Sequence, residues 1–379
     1  MENLIKEDVE KGFPGGSLLV KKKGKEIYRE TYGYQQKYEK KQLLSHPSKL
    51  KNKTLFDLAS NTKMYATNFA LQKLVTEGEL NLLSPLSFYF PSFKENVRII
   101  DLLQHTAGFP ADFPYYHREK AGDLYSRDRL TTIEHILKTP LSYEPHTQHL
   151  YSDLDYMMLG ALVEKLTCQK LDLFVEKEIF QKLGLTRTLF NPLRKGYARS
   201  DCAATERMGN TRDGFIHFPN VRTHTLQGEV HDEKAFYSMD GVSGHAGLFS
   251  TIDELSFLVE IMHHNGSYGT KQLFSESTAK TFVTPSQQNP SYGLGWRLNN
   301  GDMKYMFGEH ASTSAFGHTG WTGTLTIIDP VHELTVVLLT NKKHSPLKDP
   351  LKSLNLFEGD EFKTGQYGPL VTEIYKSLL

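Results

Sequence analysis

Between Ser60 and Gln72 the chain carries one charged side chain, Lys63, set among Asn, Thr, Met, Tyr, Ala, Phe and Leu. A helix starting near Ser60 would carry Lys63 on the same face one turn later, within reach of the serine hydroxyl. A serine hydroxyl becomes a nucleophile when a neighbouring base takes its proton, and burial drives a lysine toward its neutral, basic form. The plain alternative is that Ser60 caps the helix and Lys63 runs its stem out to water. Two distant segments favour chemistry. In HTQHLYSDLDYMMLGALVEKL (146–166), Tyr151, Ser152 and Asp153 stand just before an apolar helix, where Ser152 or Asp153 could also serve as a cap. In FGHTGWTGTLTIID (316–329), His318, Thr319 and Gly320 lead a β-segment whose small residues let an extended ligand approach.

These residues need elements to hold them. GSLLVKKKGKEIYRETYGY (16–34) reads as two strands around a Lys-Gly turn, and the basic stretch 37–53 as an exposed loop. Leu71, Leu74 and Val75 recur at helical spacing, as do Met157, Leu159, Leu162, Val163 and Leu166, while 110–128 reads as a long ordered loop. Past residue 235 a Gly-rich turn leads into a helix capped by Thr251 with Glu254 three residues on. YGLGWRL, GTLTIID and LTVVLLTN are then β-segments, the last two spaced as an antiparallel pair. Strands, a helical insertion and more strands require a sheet closed by segments distant in sequence.

Composition narrows the partners. Lys plus Arg and Asp plus Glu both number 44, so nothing favours capture of nucleic acid, and 39% hydrophobic residues suffice for a core. The expected partner is a small molecule or peptide. No apolar run is long enough to span a membrane and the polar start predicts no signal peptide, which places the chain in the cytoplasm as written, or in the cell envelope if an export signal has been trimmed. Cys168 and Cys202 read as buried thiols, with a single bridge left open. Sixteen histidines include no H-E-x-x-H, and His263 and His264, being adjacent, should point to different sides of a helix, so no metal or other cofactor is expected. GVSGH (241–245) resembles a nucleophile elbow without its strand, which leaves Ser243 a turn residue and His245 a candidate to line the cleft. His105 reads as a buried helix-end histidine.

S-x-x-K at 60–63, Y-S-D at 151–153 and H-T-G at 318–320, in that order, resemble the penicillin-recognising serine enzymes: class C type β-lactamases, DD-peptidases and related esterases. VRIIDLLQHTAGFP, IFQKLGLTRT, GVSGHAGLFST and SYGLGW are similar to that family's connecting segments, so the resemblance spans about residues 13–343. It implies an α+β, β-lactamase/transpeptidase-like fold, an antiparallel sheet flanked by helices with a mainly helical inserted lobe. The expected lobes are 1–58 with 235–379 for the sheet and 59–234 for the insertion. It also implies Ser60 as acylated nucleophile, proton transfer shared by Lys63 and Tyr151, and a catalytic part for His318. The oxyanion hole would be the backbone N–H groups of Ser60 and Trp321, with Asp153, Thr319 and Gly320 touching substrate. Lys63 and His318 would supply the positive field a tyrosinate needs.

Two positions depart from the family pattern. Asp153 stands where Asn is commoner, which removes an amide donor and adds a negative charge; it either holds Lys63 protonated or suits a different acyl group. His318 stands where most β-lactamases have Lys, a form closer to DD-peptidases and esterases, and its loss of charge near neutrality weakens capture of a β-lactam carboxylate. The expected activity is therefore a D-amino-acid peptidase or small-ester hydrolase with weak or no β-lactamase activity. The alternative is a binding or sensor protein that is acylated without turnover.

Overall fold

LTVVLLT is apolar at nearly every position because both of its faces are covered. In the computed structural model, which describes residues 4–378, it is one of seven strands: β1 (Gly15–Lys22), β2 (Lys25–Glu39), β3 (Gln42–Lys49), β4 (Arg297–Leu298), β5 (Phe316–Gly320), β6 (Thr324–Asp329) and β7 (Leu334–Thr340). They form one antiparallel sheet in the order β4-β5-β6-β7-β1-β2-β3, so the two ends of the chain meet at the β7–β1 pair, where Leu18 faces Leu338. Met1–Asn3 and Leu379, the outermost residues of the expected sheet lobe, lie outside the described residues.

Alternation along each strand assigns its side chains to two cores. Leu18, Val20, Leu325, Ile327, Val336 and Leu338 pack with Ile5 of α1 (Leu4–Glu10) and with Leu370, Val371, Ile374 and Tyr375 of a C-terminal helix at Tyr367–Lys376. Leu19, Ile328, Val337 and Leu339 point the other way, into the large core that also takes the insertion's helices. Each such side chain, fully withdrawn from water, contributes about 1.5–3 kcal/mol.

Two helices carry the site and a third packs against β7. A π-helical turn, Lys63–Asn68, continues directly into α2 (Phe69–Thr76). α3 (Asp153–Thr167) is N-capped by Ser152, whose Oγ accepts from the N–H of Leu154 at 3.2 Å. The capping reading at 152 is thus correct for Ser152, which frees Asp153 to face inward. Ile252–His263 is capped by Thr251, whose Oγ1 accepts from the Glu254 N–H at 3.3 Å, as its sequence implies.

Two local expectations are corrected. The basic stretch after 37 is no loop: β2 runs on through Glu39 and β3 returns to Lys49. An outermost strand needs no second apolar face, so its pattern is masked by charge, and its lysines discourage pairing with other chains. Both cysteines are free, yet only Cys202 is buried; Cys168 is exposed because it takes the left-handed position that ends α3, with φ of 54°. Among the described residues no helix is long and apolar enough to cross a membrane.

Candidate active site

Ser60 follows a tight turn. Ala59 has a positive φ of 46°, an uncommon state for a residue with a side chain, and the turn is held by Asp57, whose carboxylate accepts from the N–H groups of Ala59 at 2.8 Å and His231 at 2.6 Å. Asn61 and Thr62 then point into the core: Asn61 Nδ2 donates to Thr324 Oγ1 at 2.9 Å and Thr62 Oγ1 accepts from the Leu248 N–H at 3.0 Å. β5 passes close to the same turn. A Cβ on Gly320 would stand 2.4 Å from the Leu58 carbonyl oxygen and 2.2 Å from Thr324 Oγ1, so only glycine permits the approach.

One turn after Ser60, the fully buried Lys63 donates from Nζ to Ser60 Oγ at 3.0 Å and to Asp153 Oδ1 at 2.8 Å. Burial alone would lower the lysine's pKa, but the Asp153 carboxylate and the Tyr151 phenol beside it more than reverse that, and the pKa is raised. The expectation that dryness would neutralise Lys63 is therefore overturned by its counter-charge, and the alternative at position 153, a carboxylate that holds Lys63 protonated, is what the geometry has. Burial pushes Asp153 up, yet Lys63, Lys234 and His245 together hold it well below the usual carboxylate range.

Lys234, which no motif flagged, completes this network. It lies on a short helix, Glu233–Ser238, and its ammonium reaches Asp112 at 2.6 Å, Asp153 Oδ2 at 3.3 Å and Asp232 at 3.4 Å. Burial is outweighed by these three carboxylates and its pKa is raised. His245 donates from Nε2 to the Asp232 carboxylate at 2.8 Å and meets Ser243 Oγ at 2.8 Å through Nδ1. Ser243 is buried in the irregular segment that follows the turn at 240–241, and His245 lines the cleft as expected. Donor atoms of Asp153, Asp232 and His245 lie within 4.8 Å of one another, a spacing a metal ion could use, but the chain supplies its own cation there in Lys234.

Tyr151 lies between the walls. Lys63 Nζ is 4.8 Å from its ring centroid and the Arg297 guanidinium 5.4 Å, while the His318 ring is 6.0 Å away. His318 does not supply the expected positive field. It is fully buried, its Nδ1 meets the Thr319 carbonyl at 2.7 Å, and burial together with the nearby charges of Arg297 and Lys63 pushes its pKa well below the ordinary value, so it is neutral near pH 7. Its charge therefore does not change near neutrality as expected. The second cation is Arg297, on β4 directly after YGLGW, a residue that sequence reasoning passed over because that short Gly pair carried no chemical signal. His105, buried as expected, is likewise pushed well below its ordinary pKa; its Nδ1 sits 2.8 Å from Asp155 and accepts from the Ser152 N–H at 3.2 Å.

The cleft, about 580 Å³, is lined by Ser60, Tyr151, Asp153, Thr319, Gly320 and Trp321, with Lys63 and His318 lying behind this surface. Among the described residues neither the Ser60 nor the Trp321 N–H is spent on an internal hydrogen bond. The Trp321 side chain is 38% exposed, with the Lys343 ammonium 4.1 Å from its ring, and burial lowers Lys343 to about 8.

A sequence model of the Beta-lactamase family matches residues 1–360. The chain belongs to the Beta-lactamase family. It is a serine hydrolase of that family, and its relatives agree across the full length. It is 54% identical to a Bacillus subtilis (strain 168) protein named "N-acetylmuramyl-L-alanine amidase", over 100% of this chain and 88% of the relative. It is 50% identical to an Escherichia coli (strain K12) protein named "Putative D-alanyl-D-alanine carboxypeptidase", over 100% of this chain and 90% of the relative. Among solved structures it resembles EstCE1, described as a hydrolase with promiscuous acyltransferase activity, with a TM-score of 0.69, 21% identity and 98% and 97% of the two chains covered. A penicillin-binding protein homologue from Caulobacter crescentus gives a TM-score of 0.65 at 18% identity, over 99% and 96%. At such identities these structural likenesses establish the β-lactamase/transpeptidase-like α+β fold that the family membership carries.

Proposed function

We propose that the protein hydrolyses an amide bond of cell-wall muropeptides through an acyl-enzyme on Ser60. The observation that carries this reading is the Ser60–Lys63–Asp153 chain, 3.0 Å and 2.8 Å long, opening onto a cleft roomy enough for a peptide-sized substrate. Full-length relatives with amidase and D-alanyl-D-alanine carboxypeptidase names supply the substrate class.

In the proposed reaction, Ser60 Oγ attacks the carbonyl carbon as its proton passes to Tyr151 in its phenolate form. Lys63, a charged donor in the resting state, orients Oγ and stabilises negative charge on the phenol rather than acting as first base. The N–H groups of Ser60 and Trp321 receive the oxyanion. The C–N bond then breaks, the amine leaves with the proton from Tyr151, and water releases the acid from the Ser60 ester by the same path in reverse. Asp153, Thr319 and Gly320 border the bound chain. His318 is assigned a structural and packing part beside Tyr151 rather than a charge-carrying one.

Two scissile bonds are in play. Identity favours the amide between the muramyl lactyl group and L-alanine, and the exposed Trp321 ring beside the proposed oxyanion hole offers a face for a sugar. Arg297, a cation lining the cleft near Tyr151, favours a second reading in which a terminal carboxylate docks there and D-alanine is released. Mass spectrometry of N-acetylmuramyl-pentapeptide incubated with the protein separates them: free pentapeptide supports the first, free D-alanine the second. A stable Ser60 adduct with fluorescent penicillin and no turnover of either amide or of a small ester would instead identify an acylated sensor. Hydrolysis of a chromogenic cephalosporin at the rate of a dedicated β-lactamase would overturn the substrate class.

A further inference from the structure

Away from the cleft, the last turns of the helix Ile252–His263 gather Glu260, His263 and, just beyond its end, His264. Positions i, i+3 and i+4 share a helix face, so the adjacent histidines converge on Glu260 instead of diverging as their adjacency suggests. Glu260 is fully buried. Its Oε1 accepts from Thr335 Oγ1 of β7 at 2.7 Å, but Oε2 has no hydrogen-bond partner, and neither has the buried Nδ1 of His263. A buried carboxylate oxygen left without a partner costs free energy unless something binds it.

The distances indicate what that is. Glu260 Oε2 stands 3.8 Å from His263 Nδ1 and 3.5 Å from His264 Nε2, and a donor atom from each of the three residues falls within 4.8 Å of the others. A charge-assisted hydrogen bond would draw such pairs to about 2.7–2.9 Å. Two ligand atoms on a tetrahedral zinc, each about 2.0–2.1 Å from the metal, stand about 3.3 Å apart. The three groups stand farther apart than direct hydrogen bonds and at a spacing a shared ion can bridge, while, against burial, Lys21 and His263 are the charges that favour ionised Glu260 within the chain itself. The setting agrees: the carbonyls at a helix C-terminus favour positive charge. The His264 side chain is 46% exposed, which opens the cluster to solvent, and its ring stacks on Tyr268 at 5.5 Å, which orients it.

We propose that Glu260, His263 and His264 bind one transition-metal dication, zinc by preference, with water completing a four-coordinate site that pins the end of this helix to β7. Two imidazoles and one carboxylate form a borderline donor set that suits zinc, cobalt or copper and disfavours calcium or magnesium. The site would be structural, since it lies outside the cleft lining.

The test uses untagged protein in a Cys168→Ser background, because an exposed free thiol would offer added zinc a competing ligand. After EDTA treatment, calorimetric titration with ZnCl2 is expected to give one site per chain at micromolar affinity or tighter, with a rise in Tm. Co2+ should show the intense visible bands of a four-coordinate ion. His264→Ala, at an exposed position that does not touch the cleft, should weaken zinc binding by about tenfold or more while leaving hydrolysis unchanged. Asp232→Asn, at the other carboxylate-histidine cluster, should leave zinc binding intact. No binding by the parent protein, equal binding by His264→Ala, or loss of binding in Asp232→Asn would each overturn the assignment. Glu260→Gln is a less decisive variant, since Glu260 also holds Thr335, and His263→Gln serves as the second ligand deletion.

Discussion

Lys63 and His318 stand on opposite walls of one cleft, both fully buried, and burial acts on them in opposite ways. The helical wall sends a carboxylate in with its base, so Lys63 keeps its proton and Asp153 stays ionised. The sheet wall gives His318 only a carbonyl, with Arg297 and Lys63 nearby, and the imidazole stays neutral. The same desolvation is decisive on one side and outweighed on the other. What differs is a fixed counter-charge at 2.8 Å, which is worth more than the cost of burial only when its geometry is good.

Five variants break or sharpen this contrast. Ser60→Ala should abolish amide hydrolysis, by about 10⁴-fold or more in kcat, with the fold intact by circular dichroism. Asp153→Asn removes the helical wall's counter-charge: kcat should fall by about 10²-fold, and the alkaline limb of the pH–rate profile should move to lower pH as Lys63 loses its proton more easily. Truncation to Asp153→Ala should also cost about 3 kcal/mol in denaturant unfolding, because Lys63 is left buried and unpaired. Arg297→Gln should raise KM by about tenfold for a substrate ending in a carboxylate, and little for an ester that lacks one. His318→Asn should be the mildest, with a modest loss of rate and no change in the shape of the profile between about pH 5 and 8, since no charge is lost. A displaced profile would show that His318 titrates after all.

Stability should report the same asymmetry. Asp153 has a depressed folded pKa, so its contribution is present above its unfolded value near pH 4 and is lost only as pH falls through the lower folded value. The raised pKa of Lys63 gives a contribution present below about pH 10 and lost above it as pH rises through the folded value. His105, His231 and His318 are buried with pKa values far below the ordinary one, and His344 is lowered to about 3. Below about pH 6.5 the unfolded chain binds protons these sites refuse, so Tm should fall between pH 7 and 5, well before Asp153 is protonated.

Much of the cleft was legible in the linear chain. Ser60, Lys63, Tyr151, Asp153 and the H-T-G triplet announced themselves because short-range geometry, a helical turn or a strand end, sets their spacing. Lys234, Asp112 and Arg297 did not. Each acts only through partners far away in sequence, as Lys234 does across 81 and 122 residues to Asp153 and Asp112, so no local pattern marks them. The edge hairpin was missed for a related reason, since a strand with one free side need not show an apolar face.

Sequence alone settled the chemistry available: a hydroxyl with an amine one turn on, a phenol, small residues in H-T-G that let a ligand come close, and β-segments from both ends of the chain able to close one sheet. Only the tertiary structure decided how those groups are charged. Protonation depends on the dielectric and on which distant carboxylate or guanidinium arrives within a few ångströms, and both are properties of the packed molecule, not of the residues themselves.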